Sequence, residues 1–193
     1  MRERLIYIFL LIQREFLPTQ GSRLGIDGKG RPMKDRLQGK RVLIVDDEPD
    51  VLNALADLLS MCHVTKASTF EQAKEQLETQ PFDVAVLDIM GVNGYELLEL
   101  AIKKNVIAMM VTAHALSPDH TVKSFRKGAA FFVPKEEMGN IEMFLNDVLE
   151  AKEKGHHPRN RWLERLDGYY TKRFGPQWKD HDKEFWKKFT YYA

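Results

Sequence analysis

The chain has 193 residues, 44% of them hydrophobic, which is enough for one domain of ordinary size plus extensions. Its single cysteine, Cys62, excludes an intrachain disulfide and suits a reducing compartment, where a small half-apolar core role is expected of it. The net charge of +1 conceals an acidic centre: residues 1–39 sum to +4, 40–150 to −8 and 151–193 to +5, so the centre would repel nucleic-acid phosphates.

The first apolar run, Leu5 to Ile12, follows Arg2 and Arg4. As a helix it would span about 12 Å, against a hydrocarbon core of roughly 30 Å, and no small-residue cleavage pattern follows it. No transmembrane span and a cytoplasmic location are therefore expected. Residues 18–39 are rich in Gly, Pro and charge and read as linker. Met33 opens a short basic lead-in and reads as an alternative start. That would make residues 1–32 an over-extended translation; the other reading is a loosely attached helix.

Four strand-like runs come next, each ending in a polar group. Arg41 to Asp47 ends in two carboxylates, Phe82 to Asp88 in one, Val106 to Thr112 in a hydroxyl and Ala129 to Lys135 in an ammonium. A shorter strand lies around His63–Ala67. Helices alternate with them. One opens near Pro49, with Val51, Leu52, Leu55, Leu58 and Leu59 as its apolar face. One starts at Ser68-Thr-Phe-Glu71, which has capping-box spacing, and runs through about Glu78. A third follows Gly94, a fourth runs from Pro118 to Gly128, and a fifth begins at about Glu136. Strands alternating with helices imply an α/β fold with a parallel sheet and right-handed crossovers. Ligands of such sheets bind at the strand C-termini, so Asp46, Asp47, Asp88, Thr112 and Lys135 are expected to converge. Carboxylates are hard ligands suited to Mg²⁺, one of them could attack phosphorus, and Lys135 would act as a point charge on the phosphoryl oxygens.

At these residues the sequence resembles the receiver domain of two-component response regulators. Val-Asp46-Asp47-Glu-Pro resembles the acidic pair, Val-Leu-Asp88 the phospho-acceptor, Val-Thr112-Ala113 the switch hydroxyl, and Phe-Phe132-Val-Pro-Lys135 the last strand with its aromatic and lysine. The resemblance implies a flavodoxin-like, doubly wound (βα)5 sheet of strand order 2-1-3-4-5. It implies phosphorylation of Asp88 by a histidine kinase or phosphotransfer protein, and Mg²⁺ on Asp46, Asp47, Asp88 and the backbone carbonyl of Met90. It further implies phosphoryl contact or switching at Thr112, Lys135 and Phe132, and tuning of phosphoryl lifetime from the positions of Met90 and His114. Two features depart from the pattern. The loop after Asp88 is shorter and lacks a proline, which bears on the Met90 carbonyl. Lys135 is preceded rather than followed by proline, which bears on its reach.

Taken singly, these residues have plainer readings: Asp88 as a helix cap, Thr112 and Phe132 as core, His114 as a loop histidine without a second ligand nearby. The constellation favours a signalling receiver that is not a turnover enzyme. An aspartate-nucleophile phosphohydrolase resembles it, but needs a second carboxylate where Met90 stands. A degenerate receiver serving as constitutive scaffold is the other alternative.

Residues 151–193 carry half of the 20 aromatics, including Trp162, Trp178 and Trp186. Disordered tails are poor in aromatics, so this one is expected to fold and pack. Leu163, Leu166, Tyr170 and Phe174 recur at helical spacing up to Gly175-Pro176, and a second helix is expected over about Asp180–Phe189. No DNA-binding domain is legible, and the output partner is not specified. The resulting organisation is an extension over 1–39, a receiver over 40–150 and a basic aromatic helical tail over 151–193.

Overall fold

The structure, a computed structural model, describes residues 35–113 and 117–191. Most of the N-terminal extension, with its apolar run and the alternative start, lies outside the described residues, as does His114.

Five strands form one parallel sheet in the order β2-β1-β3-β4-β5. They are β1 (Arg41–Val45), β2 (His63–Ala67), β3 (Val84–Asp88), β4 (Ile107–Thr112) and β5 (Phe131–Pro134). The order and the flanking helices are those expected. Every residue of β3 is buried, as a central strand covered on both faces requires. At one edge, β2 is exposed at His63 and Lys66, half-buried at Val64 and Thr65, and buried only at Ala67. At the other edge β5 is buried at all four positions, which an edge strand achieves only when something covers it.

The crossover helices are α1 (Pro49–Leu58), α2 (Phe70–Thr79), α3 (Gly94–Lys103), α4 (Pro118–Arg126) and α5 (Ile141–Glu153). In α1, Pro49 sits in the first turn and Val51, Leu52, Ala54, Leu55 and Leu58 face the core. The α2 cap lies one residue later than its sequence signature suggested. Thr69, not Ser68, accepts the Gln72 amide, while the Gln72 side chain accepts from the Ser68 amide at 3.0 Å. The reciprocal pair is thus built on Gln72 rather than Glu71. The fifth helix also begins later than expected. Lys135–Asn140 forms a tight 3-10 turn, and α-helix starts at Ile141, after Gly139 and Asn140, both weak helix formers.

The tail folds as α6 (Arg159–Phe174), a 3-10 turn over Trp178–Asp182, and α7 (Lys183–Tyr191). It packs on α4 and β5. Trp162 and Trp178 are fully buried, and Trp162 stands edge-on to Phe125 of α4 with centroids 5.2 Å apart. Trp178 and Trp186 meet edge-to-face at 4.7 Å. Burial of each large ring contributes about 2–3 kcal/mol, which sets the tail's docking against a domain stability of about 5–15 kcal/mol.

Candidate functional site at the carboxyl edge of the sheet

β1 delivers Asp46, which is 1% exposed, and β3 delivers Asp88, 4% exposed. Their apolar strands force both carboxylates out of the core at the same edge. From the end of β5 comes Lys135, 3% exposed, whose Nζ lies 2.7 Å from Asp46 Oδ2, 2.9 Å from Glu48 Oε1 and 3.4 Å from Asp88 Oδ1. The proline before Lys135 thus leaves its ammonium within reach of both acids. Asp46 Oδ1 accepts the Glu48 amide at 3.0 Å. Asp88 Oδ2 accepts the amides of Met90 and Gly91, both at 3.0 Å. Glu48 is a third carboxylate on Lys135 to which the motif alone gives no role; its place directly after the acidic pair is the signal for it.

The short loop after β3 works through two glycines. A Cβ on Gly94 would stand 1.9 Å from the Asp88 carbonyl oxygen, and one on Gly91 would stand 1.9 Å from Asp47 Oδ1. Glycine therefore lets the loop close over Asp88 while the exposed Asp47 carboxylate rests against it. Asn93, in the left-handed conformation (φ 50°), turns the chain into α3. The Met90 side chain is 61% exposed and stands clear of the acids.

Thr112 is buried at the end of β4, opposite Pro134 of β5 in the register. Phe132 is fully buried in β5, opposite Met110, and its backbone carbonyl accepts the Trp162 indole N–H at 2.7 Å. The structure therefore brings Asp46, Asp88, Lys135 and Glu48 into direct contact, with Asp47 against the adjoining loop. It sets Phe132 inside the sheet, turned through its carbonyl to the tail.

Burial pushes the Asp46 carboxyl up to about 6, against the pull of Lys135 and its hydrogen bond. Burial also acts to lower the Lys135 ammonium, but the charges of Asp46 and Asp88 outweigh it and hold it above the ordinary lysine range. Both shifts describe buried carboxylates short of positive charge, which a hard divalent cation would supply. Among the described residues, no three His, Cys, Asp or Glu side chains stand together in a metal-holding arrangement. Yet the donor set fits such an ion: Asp46 and Asp88 converge, and Asp47 is one exposed side chain away.

A parallel five-stranded sheet of this order, with acids and a lysine at its carboxyl edge, defines a receiver-type signalling fold. The chain belongs to the response regulator receiver domain family, whose model matches residues 42–143. It is 34% identical over 113 residues to the two-component response regulator ARR18 of Arabidopsis thaliana, covering 53% of this chain and 18% of that one. It is 34% identical over 98 residues to the heme response regulator HssR of Staphylococcus aureus strain Newman, covering 48% and 43% respectively. This chain thus matches less than half the length of either relative. Among solved structures it is similar to the CheY-like receiver domain protein of Methanospirillum hungatei JF-1 (TM-score 0.54, 27% identity, 60% of this chain and 98% of that one). Among the described residues, no helix is long and apolar enough to cross a membrane.

Proposed function

We propose that this receiver accepts a phosphoryl group on Asp88 from a sensor histidine kinase or phosphotransfer protein, and acts as a switched binding module rather than a turnover enzyme. The observation that carries the reading is Lys135 bridging Asp46 and Asp88 at the ends of three separate strands. In the transfer, an Asp88 carboxylate oxygen forms a bond to phosphorus as the phosphorus–nitrogen bond of a phosphohistidine breaks. The bonding pair leaves with the imidazole nitrogen. The Met90 and Gly91 amides fix Oδ2, so Oδ1, on the Lys135 side, is the oxygen assigned to attack. Lys135 stabilises charge on the transferring oxygens, and Thr112 donates its hydroxyl to them once the group is in place.

Mg²⁺ would be held by Asp46, Asp47, Asp88 and the Met90 carbonyl, and when bound would offset the mutual repulsion of acids and phosphoryl group. Residues 40–150 are the proposed receiver unit and 151–193 its tail, with phosphoryl-dependent rearrangement of an interaction surface as the output. The closing contact of Gly91 and Gly94 supports a working site over an inert scaffold, since the loop is shaped to hold the acceptor. Incubation with phosphoramidate and Mg²⁺, followed by intact-mass measurement on wild type and Asp88→Asn, tests the assignment. An adduct that persists in the variant would count against it.

A further inference from the structure

At the amino edge of the sheet, the end opposite Asp46 and Asp88, a cleft of about 390 Å³ opens where the α5–α6 linker passes the start of β4 and the approach to β5. Ala108, Phe125, Ala129 and Val148 form its buried apolar floor. Ile102 stands on its wall at 41% exposure; among the described residues only Met90 is a more exposed large apolar side chain. Lys152, His156, His157 and Arg159 line the solvent side. No Asp or Glu among the described residues lines the cleft, although residues 40–150, which supply its floor, are strongly acidic.

The basic side is held in place by the end of α5. The Gly155 amide donates to the Lys152 carbonyl at 3.1 Å and the His156 amide to the Ala151 carbonyl at 2.8 Å, the paired bonds of a Schellman stop. Gly155 takes the left-handed conformation that this stop needs (φ 67°). The neighbouring bases are already engaged: Lys154 with Glu150, Arg161 with Glu164 and Arg165 with Asp147. Lys152 and Arg159 have no carboxylate partner among the described residues, and Arg159 lies over the Phe189 ring at 5.3 Å.

We propose that this cleft binds a small amphipathic anion, a carboxylate on a compact apolar ring, with the ring on the floor and the carboxylate on Lys152 and Arg159. The volume falls within the range of small-molecule sites, roughly 300–1,000 Å³. Burial of the ring supplies affinity, and the two cations with the imidazole N–H donors of His156 and His157 select the charge. Arg159 presents the planar fork that matches a carboxylate. α6 starts at the same place with no side-chain cap and no acid in its first turn, so its free amides add positive potential. An uncharged ligand would leave the cations unanswered, and a bare inorganic anion would leave the floor uncovered. The bound molecule would touch the end of α5, the start of α6 and the start of β4 together, and would stabilise the folded chain by mass action. None of this depends on Asp88 being the phosphoryl acceptor.

Cinnamate is the probe, with cinnamide as its uncharged counterpart and acetate as the head without the ring. Binding to the full chain is followed by NMR amide shifts, with Gly128 and Gly155 as reporters in the cleft, and affinity by calorimetry. The expected result is one saturable site, shifts at both glycines and a raised melting temperature. Cinnamide and acetate should each bind about tenfold or more weakly, as the loss of a charge-assisted hydrogen bond or of a buried ring entails. Lys152→Gln combined with Arg159→Gln should weaken cinnamate about tenfold while the ligand-free melting temperature stays at the wild-type value. Should the double variant fold poorly, Lys152→Gln alone, at an exposed position without an ion pair, should still weaken cinnamate about threefold. Unshifted glycine amides at saturating cinnamate, equal binding of cinnamate and cinnamide, or undiminished binding to the variants would each overturn the site.

Discussion

Lys135 Nζ and Asp46 Oδ2 lie 2.7 Å apart, both all but sealed from solvent, and the same ammonium serves Glu48 and Asp88. One cation thus balances three carboxylates. Removing it should be costly in proportion to how many of them remain charged.

Lys135→Ala is accordingly expected to lower stability by about 3 kcal/mol at pH 8 without divalent cations. The folded-state carboxyl of Asp46 titrates at about 6, above its ordinary value. The folded protein therefore gains from the proton below that pH and loses the gain as pH rises through about 6. The deficit of the variant should shrink at pH 5 and be partly restored by Mg²⁺ at pH 8. Urea midpoints at the two pH values check this, and a deficit independent of pH would contradict it.

The metal prediction separates Asp47 from Asp46. Because Asp47 is exposed and lies against the loop, Asp47→Ala should leave the stability read from metal-free thermal melting within about 0.5 kcal/mol of wild type. It should also remove most of the Mg²⁺-dependent rise. Equal Mg²⁺ stabilisation of variant and wild type would exclude Asp47 as a ligand.

Gly94→Ala places a methyl group 1.9 Å from the Asp88 carbonyl oxygen, a backbone atom that no rotamer change can move. A loss of about 1–3 kcal/mol is expected, together with slower phosphorylation because the Met90 and Gly91 amides shift off Asp88. Denaturant unfolding and phosphoramidate kinetics would show both, and an unchanged protein would refute the close approach.

Much of this was legible in the sequence because strands buried on both faces must be written as unbroken apolar runs, and the runs ending in Asp46, Asp88, Thr112 and Lys135 announce where the sheet edge lies. The span of β2, His63–Ala67, is also as read, although this edge strand is short and exposed at His63 and Lys66 rather than an unbroken apolar run. The α2 cap slipped by one residue because Ser68-x-x-Glu71 and Thr69-x-x-Gln72 are equally good signatures, and only the fold selects between them. The start of the fifth helix was obscured by a 3-10 turn that shares helical composition. Aromatic spacing showed that the tail must pack, but its seat on Phe132 and Thr121 depends on tertiary contacts over 30 and 49 positions, which no local pattern encodes. Asp47 beside Gly91 is likewise a property of the loop's path.

Cys62 gives a reading of the core's far side. Its thiol is half-buried, donates to the Leu37 carbonyl at 3.4 Å, and is pushed up to about 11, first by burial and then by nearby Asp35. Thiolate is therefore scarce at pH 8, and iodoacetamide should label the folded protein well over tenfold more slowly than the urea-unfolded chain. The raised value also means stability falls as pH climbs from about 9 to about 11, where the unfolded thiol ionises first. Labelling at equal rates in both states would contradict the burial.

The most direct measurement of the central claim is the intact mass of the full chain after incubation with phosphoramidate and Mg²⁺, followed by peptide mapping of the adduct. The account predicts one phosphoryl group, located on Asp88, lost in Asp88→Asn and formed more slowly in Lys135→Ala. A stable adduct on another residue, or no adduct in a folded, Mg²⁺-loaded protein, would contradict it.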